Sequence, residues 1–415
     1  MDEMSWTEEE KRQKERDESL KKDEDENLKG EKEDNLQTDR ERAENRKTVR
    51  RVFGRIALGF SAMMIVFSIL MELFAPALLE AIPGGEGNIN VTVALSSLVL
   101  YSVGIITYLI LNRWVPNASK YRGELSLSEF QNHLPEHHLD QYPSHHLNHD
   151  VQWSKRTEQM VGPSRPRKLT LWMGSKLVLI CLALGFVFNL ITMGISYGVN
   201  LLNYTREVRE ITQQYLETGY GIFPEPPSFF EADPLLEVVG RLNPVLAFLL
   251  VVIGASIFEE IIFRKLLYDK LKVFGGKIFI VVSSLLFALF HLNHRQLIYT
   301  FVVGLIFAGV MYYTQKVSYC ILLHMAFNFV GTSGMHIQGM SEMILWIYGT
   351  IYLGLVGIGA VFLIMGIVSA KRWATFDPAQ IEVKKRRDIF INLGMIIFFV
   401  LTIAGMIGNA LYFST

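Results

Sequence analysis

Nine predominantly apolar stretches, roughly 56–79, 91–112, 174–198, 244–264, 277–293, 296–315, 318–332, 343–369 and 389–412, constrain this chain more than anything else in it. About 20 apolar residues, each rising 1.5 Å along a helix, cross a hydrocarbon core of ~30 Å. Most of the stretches reach that length, and 318–332 is the shortest. The expected fold is therefore all-α: a polytopic transmembrane helical bundle of about eight or nine spans, with the lipid bilayer as its surroundings. With 50% hydrophobic and 20% charged residues, the chain keeps its charges largely outside its apolar runs.

Where the charges sit says more than their sum. A net charge of −1, averaged over segments on two sides of a membrane, gives no reason to expect a nucleic-acid partner. From Met1 to about Arg46 nearly every residue is Lys, Arg, Glu, Asp, Gln or Asn. Such a stretch buries too little to offset chain entropy, so residues 1–50 are expected to form a disordered or loosely helical cytoplasmic tail with no signal-peptide core. Lys47, Arg50, Arg51 and Arg55 precede the first span, and Lys/Arg-rich connections then alternate with Lys/Arg-poor ones. By the positive-inside rule the amino terminus, the connection 113–173 and the residues following the fourth, sixth and eighth spans lie in the cytoplasm. Segments 80–90 and 333–342 and the carboxyl terminus lie outside. The expected location is the cell membrane.

The connection 199–243 reads as the longest external loop, broken by Pro224, Pro226, Pro227 and Pro234, and Asn203-Tyr204-Thr205 within it fits a glycosylation sequon. Six histidines, at 133, 137, 138, 145, 146 and 149, could bind metal, but a solvated linker is the plainer reading. Cys181 and Cys320 both fall in apolar segments, which argues against a disulfide framework and a thiolate metal site. There is no long-period repeat of the kind an inverted-repeat transporter carries.

Ionisable groups inside apolar segments are expensive and mark functional sites by default. This chain has three such clusters: Glu259, Glu260 and Arg264; His291; and His324 with Asn328. Neighbours on an α-helix diverge by about 100°, whereas positions i and i+4 share a face. Glu260 is therefore expected to pair with Arg264, leaving Glu259 without a partner on its own helix and free to act as a general base. Phe287 lies one turn before His291 and can wall its pocket, and His324 and Asn328 share a face. A carboxylate, two imidazoles and an amide meeting in one polar intramembrane cavity are the parts of a water-activating hydrolase: a base, a water-orienting group and oxyanion donors. Taken singly, a membrane His or a Glu/Arg pair is as often structural. His294 reads as an interfacial turn residue, and His336 as part of an external loop.

The ordered set Glu259-Glu260-x-x-x-Arg264, Phe287-x-x-x-His291 and His324-x-x-x-Asn328 resembles the three motifs of the CAAX protease and bacteriocin-processing family, intramembrane proteases related to the type II CAAX prenyl endopeptidases. The resemblance divides the chain into the tail 1–50, accessory helices 51–243, a catalytic core 244–332 and carboxyl-terminal helices 333–415. It implies that Glu259 activates water with help from His291, that His324 and Asn328 stabilise the oxyanion, and that Glu260 and Arg264 support them. The implied substrate is a peptide or membrane-anchored protein; a prenyl group is not demanded. No cofactor is favoured, although Glu259, His291 and His324 could supply three zinc ligands. A non-enzymatic transporter or bacteriocin-immunity factor that binds a ligand in the polar cluster is the rival reading.

Depths can be compared. Glu259, counted from Pro244, lies about 8 Å above the inner edge of the hydrocarbon, and His324, counted from Lys316, about 12 Å. His291, counted from Lys277, comes out about 21 Å above it. The first two agree and the third does not.

Overall fold

The computed structural model describes residues 8–81, 87–116, 166–229, 234–337, 340–369, 383 and 385–412. Nine long helices run through them: α1 Glu8–Ala81, α2 Ile89–Trp114, α3 Leu171–Thr218, α4 Pro244–Phe274, α5 Gly276–Phe290, α6 His294–Thr314, α7 Val317–His336, α8 Glu342–Ser369 and α9 Leu393–Tyr412. Every expected apolar stretch has its helix, and no strand occurs among the described residues.

Seven of these helices are long and apolar enough to cross a membrane, fewer than the eight or nine expected. The two that fall short are α5 and α7. Helix α5 has 15 residues, a length of about 22 Å against a core of ~30 Å. Helix α7 has 20 residues, but His324, Asn328, Thr332, Ser333 and His336 interrupt its apolar run. These are also the helices that bring the imidazoles.

Contacts between helix ends follow an up-and-down path. At one end of the bundle Arg55 donates to Trp114 O at 3.0 Å, Lys270 Nζ to Asn112 O at 3.1 Å, and Arg46 Nε to Asp388 Oδ1 at 2.9 Å. The Arg167 N–H reaches Tyr313 O at 2.9 Å there as well. At the other end the Asn243 N–H donates to Asn90 Oδ1 at 2.6 Å, and His336 Nε2 is hydrogen-bonded to Leu242 O at 3.1 Å. The Lys/Arg-rich and Lys/Arg-poor ends thus collect at opposite ends.

The charged amino-terminal stretch is helical from Glu8 and continuous with the first apolar run. Two local expectations change. Helix α3 does not stop at the edge of its apolar run but continues to Thr218, where Gly219 closes it at φ 73°. Residues 204–218 contain neither Gly nor Pro, so helix propensity carries the chain on, and Asn203-Tyr204-Thr205 sits in helix instead of loop. His336 is the last residue of α7, with Nδ1 hydrogen-bonded to Thr332 O at 2.9 Å. The six-histidine segment 133–149 falls outside the described residues.

Between membrane helices, association comes from close packing rather than from water release, so small residues and interlocking rings do most of it. A Cβ on Gly394 would lie 2.0 Å from Gly54 O, and one on Gly359 would lie 2.0 Å from Leu179 O. Helices α9 and α1, and likewise α8 and α3, therefore touch backbone to backbone. Phe60 of α1 stacks on Phe263 of α4 with centroids 5.1 Å apart, and lies 6.3 Å from both Phe290 and Phe398. Such pairs add about 0.5–1.5 kcal/mol each, and this cluster fixes the back of α4 where its polar residues begin.

Candidate active site

Helix α4 changes its winding at the charged residues. Phe248–Ala255 and Glu260–Leu266 are π-helical, and the α-helical turn Ser256–Glu259 lies between them. Such windings recur at functional sites because they re-aim side chains at the cost of regular hydrogen bonding. Glu259 closes the α turn and Glu260 opens the second π winding, so the two carboxylates diverge as expected. The Glu260 side chain is 0% exposed and that of Glu259 20%.

Glu260 meets Arg264 as expected, with Nη1 3.2 Å from Oε1. The fully buried guanidinium lies 4.0 Å from the centre of the Phe287 ring and 5.6 Å from that of Phe307. Among the described residues none of its nitrogens has a hydrogen-bond partner, so ring faces and the Glu260 charge carry the compensation. Gly304 leaves the room: a Cβ there would come within 3.4 Å of Arg264 Nη2.

His324 stands between the two carboxylates. Its Nδ1 is 2.9 Å from Glu260 Oε1, and its Nε2 is 3.8 Å from Glu259 Oε2. Glu260, paired with Arg264, is an acceptor, so Nδ1–H donates to it and the ring is held with Nε2 toward Glu259. The depth agreement between Glu259 and His324 is thus a contact.

His291 caps α5, and its Nδ1 donates to Phe287 O at 2.9 Å. No ion pair or hydrogen bond joins it to Glu259 among the described residues, so the implied Glu259–His291 partnership is not a direct contact. The connection runs through Phe287, whose ring is edge-on to both imidazoles, 4.8 Å from His291 and 6.0 Å from His324. Asn328 Nδ2 donates to Val251 O at 3.1 Å and makes a longer contact of 3.4 Å to Ser256 Oγ. His294 is exposed at the first turn of α6.

Three neighbours escaped the sequence reading. Ser256 is fully buried beside Asn328; its place three residues before Glu259 on an apolar helix is a signal that could have found it. Phe307, 5.2 Å from His324, and Tyr101, whose hydroxyl donates to Leu250 O at 2.8 Å, carry no such signal, because only tertiary packing brings them near.

The imidazoles, each holding its Nδ1–H on an oxygen, have the tautomer that suits a metal ligand. Their positions do not: no three His, Cys, Asp or Glu side chains gather as a metal-binding group among the described residues. A three-ligand zinc site at Glu259, His291 and His324 does not fit this arrangement.

A protein-family model described as "Type II CAAX prenyl endopeptidase Rce1-like" matches residues 241–330. The match spans α4 to most of α7 and contains every residue of the three polar clusters. Comparisons with curated proteins and with solved structures gave no match.

Proposed function

Because residues 241–330 match a family model described as Rce1-like type II CAAX prenyl endopeptidase, we propose that this integral membrane protein is an intramembrane endopeptidase. It hydrolyses a peptide bond near the carboxyl end of a membrane-associated chain. The supporting observation is the 3.8 Å gap between Glu259 Oε2 and His324 Nε2. That gap is too long for a direct hydrogen bond, yet it suits one water donating to both acceptors at ordinary distances of about 2.8 Å.

A water held that way keeps its lone pair free for a carbonyl carbon. Glu259 takes the proton as the C–O bond forms and passes it to the leaving nitrogen as the C–N bond breaks. His324 orients the water, with Glu260 and Arg264 fixing its ring. This assigns His324 the water-orienting part that the family resemblance gives to His291. Asn328 supplies the oxyanion donor, since one of its two N–H bonds has only the 3.4 Å contact to Ser256. His291 stands across the Phe287 ring from His324 as a further imidazole of the site. The reaction needs no metal ion in this reading. The Lys/Arg pattern orients the amino terminus to the cytoplasm.

The test is turnover of a quenched fluorogenic peptide ending in a farnesylated Cys-aliphatic-aliphatic-X sequence by the full chain in proteoliposomes. Wild type should cleave it, and Glu259→Ala should lose about 10³-fold or more in rate at equal folded protein. Undiminished cleavage by Glu259→Ala overturns the assignment. The same peptide without its farnesyl group decides whether the prenyl chain is read.

A further inference from the structure

A helix outside the 241–330 domain holds the turn on which His291 stands. Helix α5 ends at Phe290, with His291 as its cap. Helices commonly stop this way with a glycine in the left-handed region. Here the position belongs to Leu292, at φ 52°, one of two non-glycine residues with positive φ among the described residues. A bulky residue in that region is strained by its Cβ and persists only when surrounding contacts hold it.

Two contacts from α9 do so. Asn409 Nδ2 donates to Leu292 O at 2.9 Å. The Leu292 side chain fills the notch at Gly405, where a Cβ would meet Leu292 Cδ2 at 3.1 Å and Cδ1 at 3.3 Å. Immediately beyond, Asn293 caps α6 by accepting from the Arg295 N–H at 2.9 Å. The strained residue is thus clamped between the end of α5 and the start of α6.

We propose that Asn409, with Gly405, is a positioning device for His291: α9 holds Leu292 left-handed, and Leu292 fixes where α5 ends and where the imidazole points. The proposal rests on the reading of His291 as part of the hydrolytic site. Asn409 touches no reacting atom; it acts through the turn.

The test measures kcat and KM of the full chain in proteoliposomes with the farnesylated reporter peptide, alongside hydrogen–deuterium exchange of the backbone amides of residues 292–296. Asn409→Leu should lower kcat roughly tenfold with KM within about twofold, as expected for a misplaced group rather than lost binding. Asn409→Gln, which keeps the amide donor, should stay within about threefold of wild type. Amide exchange at the turn should accelerate in Asn409→Leu and not in Asn409→Gln. Glycine adopts positive φ without strain, so in the Leu292→Gly background Asn409→Leu should cost less than about threefold. Unchanged exchange and unchanged kcat in Asn409→Leu, or an equal loss in both backgrounds, would overturn the proposal. If wild type fails to cleave the reporter, the reading of the site falls while the clamp is still decided: faster exchange in Asn409→Leu upholds it and unchanged exchange removes it.

Discussion

Helices α6 and α8 are both long and apolar enough to span, yet they face different surroundings. Half of the most apolar 18-residue window of α6, 50%, is buried inside the protein, against 6% for α8. Helix α8 spends its apolar surface on lipid, with Ile364 62% and Val368 77% exposed. Helix α6 spends its surface on the site: Gly304 opens space for Arg264, and Phe307 packs on His324. Apolarity in a membrane chain therefore has two meanings. The helices least like spans, α5 and α7, carry His291, His324 and Asn328, because polar groups are tolerated only where protein shields them from lipid.

Substitutions can break or sharpen that contrast. The largest loss of stability is expected inside, at Arg264→Leu, which strands the buried Glu260 charge at a cost of about 3–5 kcal/mol. Its yield of folded protein, followed by size-exclusion chromatography in detergent, should collapse while Glu259→Gln keeps a wild-type yield. Equal yields would mean that Arg264 does not neutralise Glu260. Next comes Asn328→Ala, which should lower kcat by about 10² while the protein stays folded, the usual cost of one oxyanion donor. A loss of folding instead would reduce Asn328 to a tie between α7 and the Val251 carbonyl. Metal removal should do less still: active protein is expected to hold well below one zinc per chain and to keep its turnover in chelator. Stoichiometric zinc lost with His291→Ala would overturn the metal-independent reading. The smallest effect belongs to the lipid face, where Ile364→Ala should leave yield and turnover within about twofold. A marked loss there would show that the Ile364 face of α8 touches more than lipid.

Much of this arrangement was legible from residue order alone. Spans announce themselves through 20-residue apolar windows, and the Glu260–Arg264 pair through its i, i+4 spacing, which survives the π winding. The proximity of Glu259 and His324 followed from depth counting, since both helices begin at recognisable boundaries. The surroundings of His291 did not, because they depend on α5 being short and on where its end meets α9. Leu292 in the left-handed region has no local signature, as glycine or asparagine would have given. Helix α3 misleads for the opposite reason: Arg206, Glu207, Arg209 and Glu210 read as a loop by polarity, yet they are good helix formers with no breaker before Gly219. The division of His324 between two carboxylates is likewise tertiary, since Glu260 was assigned wholly to Arg264 on its own helix.

The central claim is that Glu259 and His324 hold one water between them and act as a unit. The most direct measurement is therefore the rate of reporter cleavage by Glu259→Ala, by His324→Ala and by the double variant, at matched amounts of folded protein in proteoliposomes. Groups that build a single transition-state site lose nearly everything with the first removal. The account predicts that each single variant falls by about 10³-fold or more and that the double variant is hardly slower than either. Losses that multiply, or a Glu259→Ala protein that still turns over at the wild-type rate, would contradict it.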